Sequence, residues 1–526
     1  MSLTGIGKRL STFLRCHTEA TGLPLAHLLM ASGVLHLIVA VLAVNPWHPD
    51  EHFQILEPAW ARAGLAPMDE LAWEFNDRIR PTLQPTLALI LLTALRAVGL
   101  TSPFLWVLLL KLGTLALSMV TVIWIVSAVS RSLDRPGRRA LWLTSLFLWV
   151  LPLFHHRFSS ENLAGMAFFA AVPLIVRPGR VRSTCAGILL GLAFLFRFQM
   201  AFAIIALITW SAVRGRGRLK RLGQAVAIAG TVVALSIVLD SWFYGEWVLT
   251  PWAYFEANVL EGVAASFGTS PWYFYPVQLV LWTVPPLGLV LGLLLVGAVL
   301  LRPGSPWVWC SVAFFVGHSA IGHKELRFLL PLLYALPVLV GYSVSALDRS
   351  WSAGRWRRGF VWTLVAQNVV LLAILATPAI HRGKEFDWHY FRALWQVSER
   401  AAGAPVYVLD TLEDPYEVVT GLSTNIYRHP SVQAARMEVG TPPKDLVPPD
   451  VGSDRLLLVT RTESPPALPG VATLGLIYEA EAGYVRMARP LGLRTAGFIT
   501  WLEMVDRWTV SDWKRKVYEV WLEAGE

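Results

Sequence analysis

Just past its first long apolar run the chain reads NPWHPDEHFQILEPAWARAGL, Asn45 to Leu65. Two adjacent acids, Asp50 and Glu51, follow Pro49, with His48 and His52 on either side and Gln54 and Glu57 beyond. Proline suits the first turn of a helix, and acidic side chains there meet the positive end of the backbone dipole. Helical spacing would set Asp50, Gln54 and Glu57 on one face and Phe53, Leu56 and Trp60 on another. As structure, this is a well-capped amphipathic connector. As chemistry, it is a carboxylate held just above an apolar segment, where it can take the proton of a hydroxyl. Spacing alone leaves both readings open.

Three further clusters have the same double character. LAWEFNDRIRP supplies Trp73, Glu74, Asp77, Arg78 and Arg80, which serve either as solvated loop charges or as substrate contacts. The aromatic stretch from Leu239 to Pro276 carries Asp240, Tyr244 and Trp272. Tryptophan and tyrosine anchor at membrane surfaces without special cause, yet aromatic faces interleaved with Gly, Asn and Ser also cradle sugars and lipid chains. GHKELRFLLPLL, Gly322 to Leu333, places His323, Lys324 and Arg327 together. These cations either snorkel at an interface or face a phosphate. Arg197 stands at the centre of an apolar stretch, 184–213, that is too long for one span. An ionisable residue at that depth is a functional candidate, unless two short helices meet at FRFQ and bring it to a hairpin tip. HHRFSSENL, 155–163, reads as a polar turn satisfying helix ends.

These clusters sit in a chain of 526 residues that is 55% hydrophobic and only 15% charged, far from the roughly 25% charged of soluble domains. Apolar runs near the length of about 20 residues that spans a bilayer recur through residue 377. The composition predicts an all-α polytopic membrane protein of about 11–13 transmembrane helices. The net charge of +9 does not point to nucleic acid, because the basic residues gather in short loops such as RGRGRLKR (214–221) and RSWSAGRWRRG (349–359). That is the positive-inside pattern. It puts the loop 45–81, the aromatic stretch, GHKELR and everything beyond 378 on the lumenal or periplasmic side. The basic loop RSLDRPGRR (131–139) resists this scheme. A boundary falls at 383/384, where a tail of short β-type runs begins: VYVLD, LLLVT and TLGLIYEA. The tail reads as a small α/β domain, and VSDWKRKVYEVWLEAG as an amphipathic helix at its end. Cys16, Cys185 and Cys310 show neither metal spacing nor a disulfide framework and are expected to be free and buried. No metal motif or nucleotide loop is present, so the sequence calls for no metal and no cofactor.

HPDEHFQILEPAW, DSWFYGEWVLTPWAYFEANV, FGTSPWYFY and HKELRFLLPLLY, in that order over roughly residues 45–335, resemble glycosyltransferase family 22. These are the α-mannosyltransferases that use polyprenyl-phosphate-mannose, and the chain is most similar to those that extend GPI anchors. The resemblance implies a GT-C fold and transfer of mannose, with inversion, from a polyprenyl (dolichyl) phosphate mannose donor to a lipid-linked glycan or GPI-type acceptor. The catalytic face would be lumenal in an endoplasmic reticulum membrane if the host is eukaryotic, or periplasmic in an inner membrane if it is bacterial. Asp50 matches the family's catalytic acid portion, with Glu51 second. Lys324 and His323, with Arg327 and Arg197, would hold the donor phosphate. His48, Gln54, Glu57, Trp73, Arg80, Asp240, Tyr244 and Trp272 would contact substrate. Where the family tends to carry histidines, Ser270 and Tyr273 stand here, and Arg80 is followed by Pro81. Transfer of another lipid-linked sugar, transfer to protein hydroxyls, and non-enzymatic lipid or glycan transport are the alternatives.

Overall fold

The computed structural model describes residues 3–177, 179–347, 355–377, 386–400, 406–410, 414–419, 422–436, 456–460, 471–481 and 514–522. The chain divides into two compact units. One comprises Met1–Val41, Asp77–Leu87 and Leu108–Leu375; the other comprises Leu42–Asn76, Ala88–Val107 and Ala376–Glu526. The first loop as far as Asn76 thus belongs to the same unit as the tail.

The first unit is helical because its sequence leaves no alternative: long apolar stretches have to satisfy every backbone group internally. Among the described residues, four helices are individually long and apolar enough to cross a membrane: Leu25–Leu42, Pro103–Ser132, Leu219–Tyr244 and Arg358–Ala376. A fifth arises if the pair Leu326–Tyr334 and Leu336–Leu347, bent by 63°, is taken as one span. The expected 11–13 full spans therefore resolve partly into shorter apolar helices, among them Leu83–Ala97, Ser160–Val176, Phe198–Val213 and Leu287–Leu301. Hydropathy counts apolar length and does not register where a polar turn or a proline interrupts it.

The 184–213 stretch is one such case. It forms Arg180–Phe196 and Ala201–Val213, joined through a single turn at Phe198–Met200, with Arg197 extended at the junction (φ −157°, ψ 109°). The two-helix reading of FRFQ holds. Ser160–Val176 runs through the centre of this unit's core, which includes Phe168, Phe169, Leu190, Trp307 and Tyr334. Ser159 caps it by accepting from the Asn162 N–H. All three cysteines are free; Cys310 is buried as expected, whereas Cys16 and Cys185 are exposed.

In the second unit a five-stranded sheet has the order β4–β1–β5–β7–β6, with β1 Val406–Asp410, β4 Val432–Arg436, β5 Leu456–Thr460, β6 Val471–Glu481 and β7 Lys514–Leu522. β4, β1 and β5 run parallel, and β7 lies antiparallel between β5 and β6. A separate pair, β2 Glu417–Val419 and β3 Leu422–Ser423, forms a hairpin. VYVLD, LLLVT and TLGLIYEA are strands, as read from sequence. The C-terminal segment is a strand where a helix was expected. Residues 517–521 are Val-Tyr-Glu-Val-Trp, β-branched and aromatic at four of five positions. Pairing on both edges supplies what local amphipathicity would have drawn from a helix. Residues 349–354 of the basic loop, and Val510–Trp513 and Glu523–Gly525 of the predicted terminal helix, lie outside the described residues.

The Leu326–Tyr334 segment owes its position to one small residue. A Cβ on Gly165 would lie 2.7 Å from the Pro331 carbonyl oxygen and 2.8 Å from its Cα, both rigid backbone. Gly165→Ala should destabilise the detergent-solubilised protein by about 1–3 kcal/mol. Gly33→Ala, where a Cβ meets nothing within 4 Å, should be neutral. Thermal unfolding of the two variants side by side checks this.

Candidate active site

In the second unit the first loop begins with a four-residue helix, Asp50–Phe53, breaks at Gln54–Ile55, and resumes as Leu56–Arg62. The break separates the face expected for Asp50, Gln54 and Glu57. Asp50 and Glu51 remain partly exposed, while His52 through Ala61 are buried. The backbone N–H of Asp50 donates to His48 Nδ1 at 3.2 Å, and that nitrogen lies 3.3 Å from Asp50 Oδ1. His48 therefore holds the carboxylate-bearing turn at its start. Gln54 donates to Glu74 Oε1 at 2.9 Å, joining the two halves of the loop, and Trp73 stays half-buried.

Glu57 departs from its expected place on a polar stripe toward water or a cleft. Only 3% exposed, its Oε1 is met by Thr424 Oγ1 at 3.0 Å, by the N–H groups of Asn425 and Ile426 at 3.0 and 3.3 Å, and by His52 Nε2 at 2.7 Å. A carboxylate out of water requires such donors. The kink at Gln54–Ile55 turns it inward.

In the first unit the cations predicted from two distant motifs come together. Arg197 donates to Glu161 Oε1 at 2.7 Å, and an Arg327 nitrogen lies 3.8 Å from the same oxygen. Arg327 also grips Glu325, its Nε 2.5 Å from Oε2 and its Nη2 3.2 Å from Oε1. The guanidinium carbons stand 4.9 Å and 5.3 Å from the Phe328 ring centroid, so this one aromatic ring orders both. Glu161 and Glu325 were not singled out from sequence. Glu161 sits in the first turn of Ser160–Val176 and reads locally as part of a cap. Glu325 lies inside the His-Lys-Glu run itself, and that was the available signal.

Lys324 is buried, and its Nζ donates to the carbonyls of Ser270 at 2.8 Å and of Ile321. Together with Ser270 N–H donating to Gly322 O at 2.9 Å, this clasps 268–272 to 321–324. His323 has Nδ1 2.9 Å from Gly268 O and Nε2 3.0 Å from Glu325 Oε1. Both ring nitrogens face acceptors, so both bonds form only when the ring is doubly protonated. The hydrogen bond donated to Glu325 accordingly raises the His323 pKa above its ordinary value, against an opposing effect of burial.

Asp240 and Tyr244 fix the segment after the first loop. The fully buried Asp240 accepts from Thr82 N–H at 2.8 Å, Thr82 Oγ1 at 2.7 Å and Thr250 Oγ1 at 2.6 Å. Tyr244 donates to the Arg80 carbonyl at 2.8 Å. These bonds commit Asp240 to structure, and they hold Arg80 with its guanidinium carbon 6.0 Å from the Tyr254 centroid. Trp272 is 71% exposed. Among the described residues no group of three or more His, Cys, Asp or Glu is placed to hold a metal ion.

Residues 27–401 match the model of the Alg9-like mannosyltransferase family. The chain belongs to this family. The match includes the Asp50–Glu51 turn and the His323–Lys324–Glu325 run. Similar proteins include the GPI alpha-1,2-mannosyltransferase 3 of Xenopus laevis, 24% identical over 370 residues covering 69% of this chain and 66% of that one. The GPI mannosyltransferase 3 of Emericella nidulans is 26% identical over 333 residues, 59% and 44% of the two chains. This family member thus spans less than two thirds of the length of these curated relatives. Its fold is that of ArnT from Cupriavidus metallidurans, solved bound to undecaprenyl phosphate. The TM-score is 0.51 at 13% identity, over 95% of this chain and 98% of that one. The GT-C fold implied by the motifs is the fold observed.

Two expectations follow from the charge cluster. Glu161→Leu leaves Arg197 buried without its closest carboxylate and should cost about 3–5 kcal/mol, most of it recovered by the double variant Glu161→Leu/Arg197→Met; denaturant unfolding of both tests this. The raised His323 pKa means its stabilisation is fully present below the unfolded value of about 6.5 and is lost as pH rises through the folded value. Wild type should therefore lose stability relative to His323→Gln on going from about pH 6 to about pH 9, read from unfolding midpoints at each pH.

Proposed function

We propose that this chain is an inverting α-mannosyltransferase. In this reading it moves mannose from a polyprenyl phosphate mannose donor to a hydroxyl of a lipid-linked glycan of the GPI type. The observation that carries the reading is the family match over residues 27–401, because it contains the acid turn and the cationic run whose chemistries the reaction needs. Support for the donor class comes from the ArnT structure of the same fold, which holds a polyprenyl phosphate.

The reaction asks two things of the protein. The acceptor oxygen attacks the anomeric carbon as its proton passes to Asp50, the first of the two partly exposed acids, with Glu51 beside it. The bond from the anomeric carbon to the phosphate oxygen breaks, and its electron pair leaves with the phosphate. Opposite-face attack converts a β-linked donor to an α-mannoside. Arg197, Arg327, His323 and Lys324 stabilise the departing charge as preorganised donors. The activated phosphate linkage supplies the driving force, and Trp73, Arg80, Tyr244 and Trp272 are assigned to substrate contact. By the charge pattern of its loops the catalytic face is lumenal or periplasmic.

Membranes carrying wild type or Asp50→Asn, incubated with radiolabelled polyprenyl-phosphate-mannose and a panel of lipid-linked glycans, test this directly. Wild type should label a glycan, and Asp50→Asn should lose at least about a hundredfold in rate while donor retention is kept. Normal turnover in Asp50→Asn would remove the residue from this role, and labelling only from a different lipid-linked sugar would change the donor.

A further inference from the structure

The tail of the second unit has no part in the reaction as described, yet it supplies three of the four donors on Glu57. Resting on the proposed function, we propose that Glu57 is a positioning residue. Through it the Thr424–Ile426 turn of the tail fixes the orientation of the Asp50–Phe53 helix.

The turn is itself rigidly built. Asp414 accepts from Tyr416 N–H at 2.9 Å and from Ser423 Oγ at 3.0 Å, and pairs with Arg428 at 3.3 Å. Thr424 N–H closes back onto Tyr416 O at 2.9 Å. The outcome is two consecutive amides, Asn425 and Ile426, aimed at one carboxylate oxygen, with the Thr424 hydroxyl beside them.

From Glu57 the constraint reaches the acid turn by one further contact. His52 Nε2 lies 2.7 Å from Glu57 Oε1 and 2.9 Å from Thr424 Oγ1. His52 belongs to the same four-residue helix as Asp50 and is 1% exposed. Its ring stacks on Tyr427 at 5.6 Å and meets Phe386 at 4.8 Å, both from the tail. Because the chain breaks at Gln54–Ile55, the backbone does not carry the orientation of Leu56–Arg62 into Asp50–Phe53. The His52–Glu57–Thr424 knot spans that break. A second grip, Asn425 Nδ2 donating to Glu70 Oε2 at 3.0 Å, ties the same turn to the far half of the loop. Two carboxylates of the first loop are thus held by one three-residue turn 355 to 369 positions later in sequence.

Glu57→Gln tests the link, because it keeps volume and removes the charge shared by these donors. Amide exchange reports the geometry independently of chemistry. The expected result is faster exchange at Asn425 and Ile426 and also at Phe53 and Gln54, whose N–H groups close the Asp50 turn onto Pro49 and Asp50 carbonyls. With it, kcat should fall about a hundredfold at unchanged donor KM. Thr424→Val, a smaller change for a background in which Glu57→Gln does not fold, should move exchange and kcat in the same direction by less. Exchange that quickens at 425–426 alone, or loosened turns with unchanged kcat, would overturn the inference and leave Glu57 a fold staple. Loosening at both places in a chain whose wild type transfers no mannose would instead overturn the proposed function and leave the link between tail and helix standing.

Discussion

A carboxylate withdrawn from water has to be met by donors, and two buried glutamates meet that demand in ways that organise the rest of each unit. Glu161, at the start of a helix buried along most of its length, draws Arg197 and Arg327 to one oxygen. Arg197 comes from a helix junction and Arg327 from a proline-containing turn 130 residues later, so one anion fixes the mutual position of two otherwise remote cations. Glu57 does the same for backbone. It collects two amides, a hydroxyl and an imidazole, groups that hold the first loop on the tail. In both cases removing the acid would do more than remove a contact, because it would leave the groups it gathered unmatched.

How far this was legible depended on whether the signal was local. The break at FRFQ could be read because a helix longer than a bilayer with a charge at its middle is physically awkward, and two shorter helices remove the difficulty. The tail strands could be read from short β-branched runs between Gly and Pro. The Asp50–Gln54–Glu57 face could not, since periodicity assumes an unbroken helix and the sequence from Pro49 to Trp60 contains no obvious breaker before Pro58. The bend answers to partners near residue 424, which no window of local sequence contains. The terminal strand failed for the same reason: 514–522 is amphipathic enough for a helix, and only the two vacant edges of β5 and β6 decide otherwise.

The site residues divide along the same line. Arg197 stands out by its depth and His323, Lys324 and Arg327 by their type and clustering, and in the first unit Arg197 and Arg327 converge on Phe328 and Glu161. Asp240, in the aromatic stretch that begins at a span end, suits a ligand contact and a structural tie equally. Its three hydroxyl and amide donors make it a structural tie between Thr82 and Thr250. Glu161 and Glu325 went unnoticed because an acid near the start of a helix already has a local explanation, and nothing in a sequence says that an explained residue has a second partner.

The arrangement of charge has a consequence for a reaction that releases a lipid phosphate. A phosphodiester donor carries one negative charge, whereas the monoester it leaves behind gains a second ionisation with a pKa near 6. Arg197, Arg327 and Lys324 give three positive charges and Glu161 and Glu325 take away two, and His323, whose pKa is raised by its bond to Glu325, adds to the positive side whenever its ring is doubly protonated. In the proposed reaction a net positive site would be better matched to the departing group than to the donor that enters, which is the condition for lowering a barrier and not merely binding a ground state. Lys324 contributes most directly to this balance. The partners it is seen to donate to are carbonyl dipoles, which orient its charge without cancelling it, whereas Arg197 and Arg327 are already partly neutralised by carboxylates. In that reaction a shift of either arginine from Glu161 toward the phosphate would exchange one anion for another, so the cluster would follow the growing charge without first assembling itself.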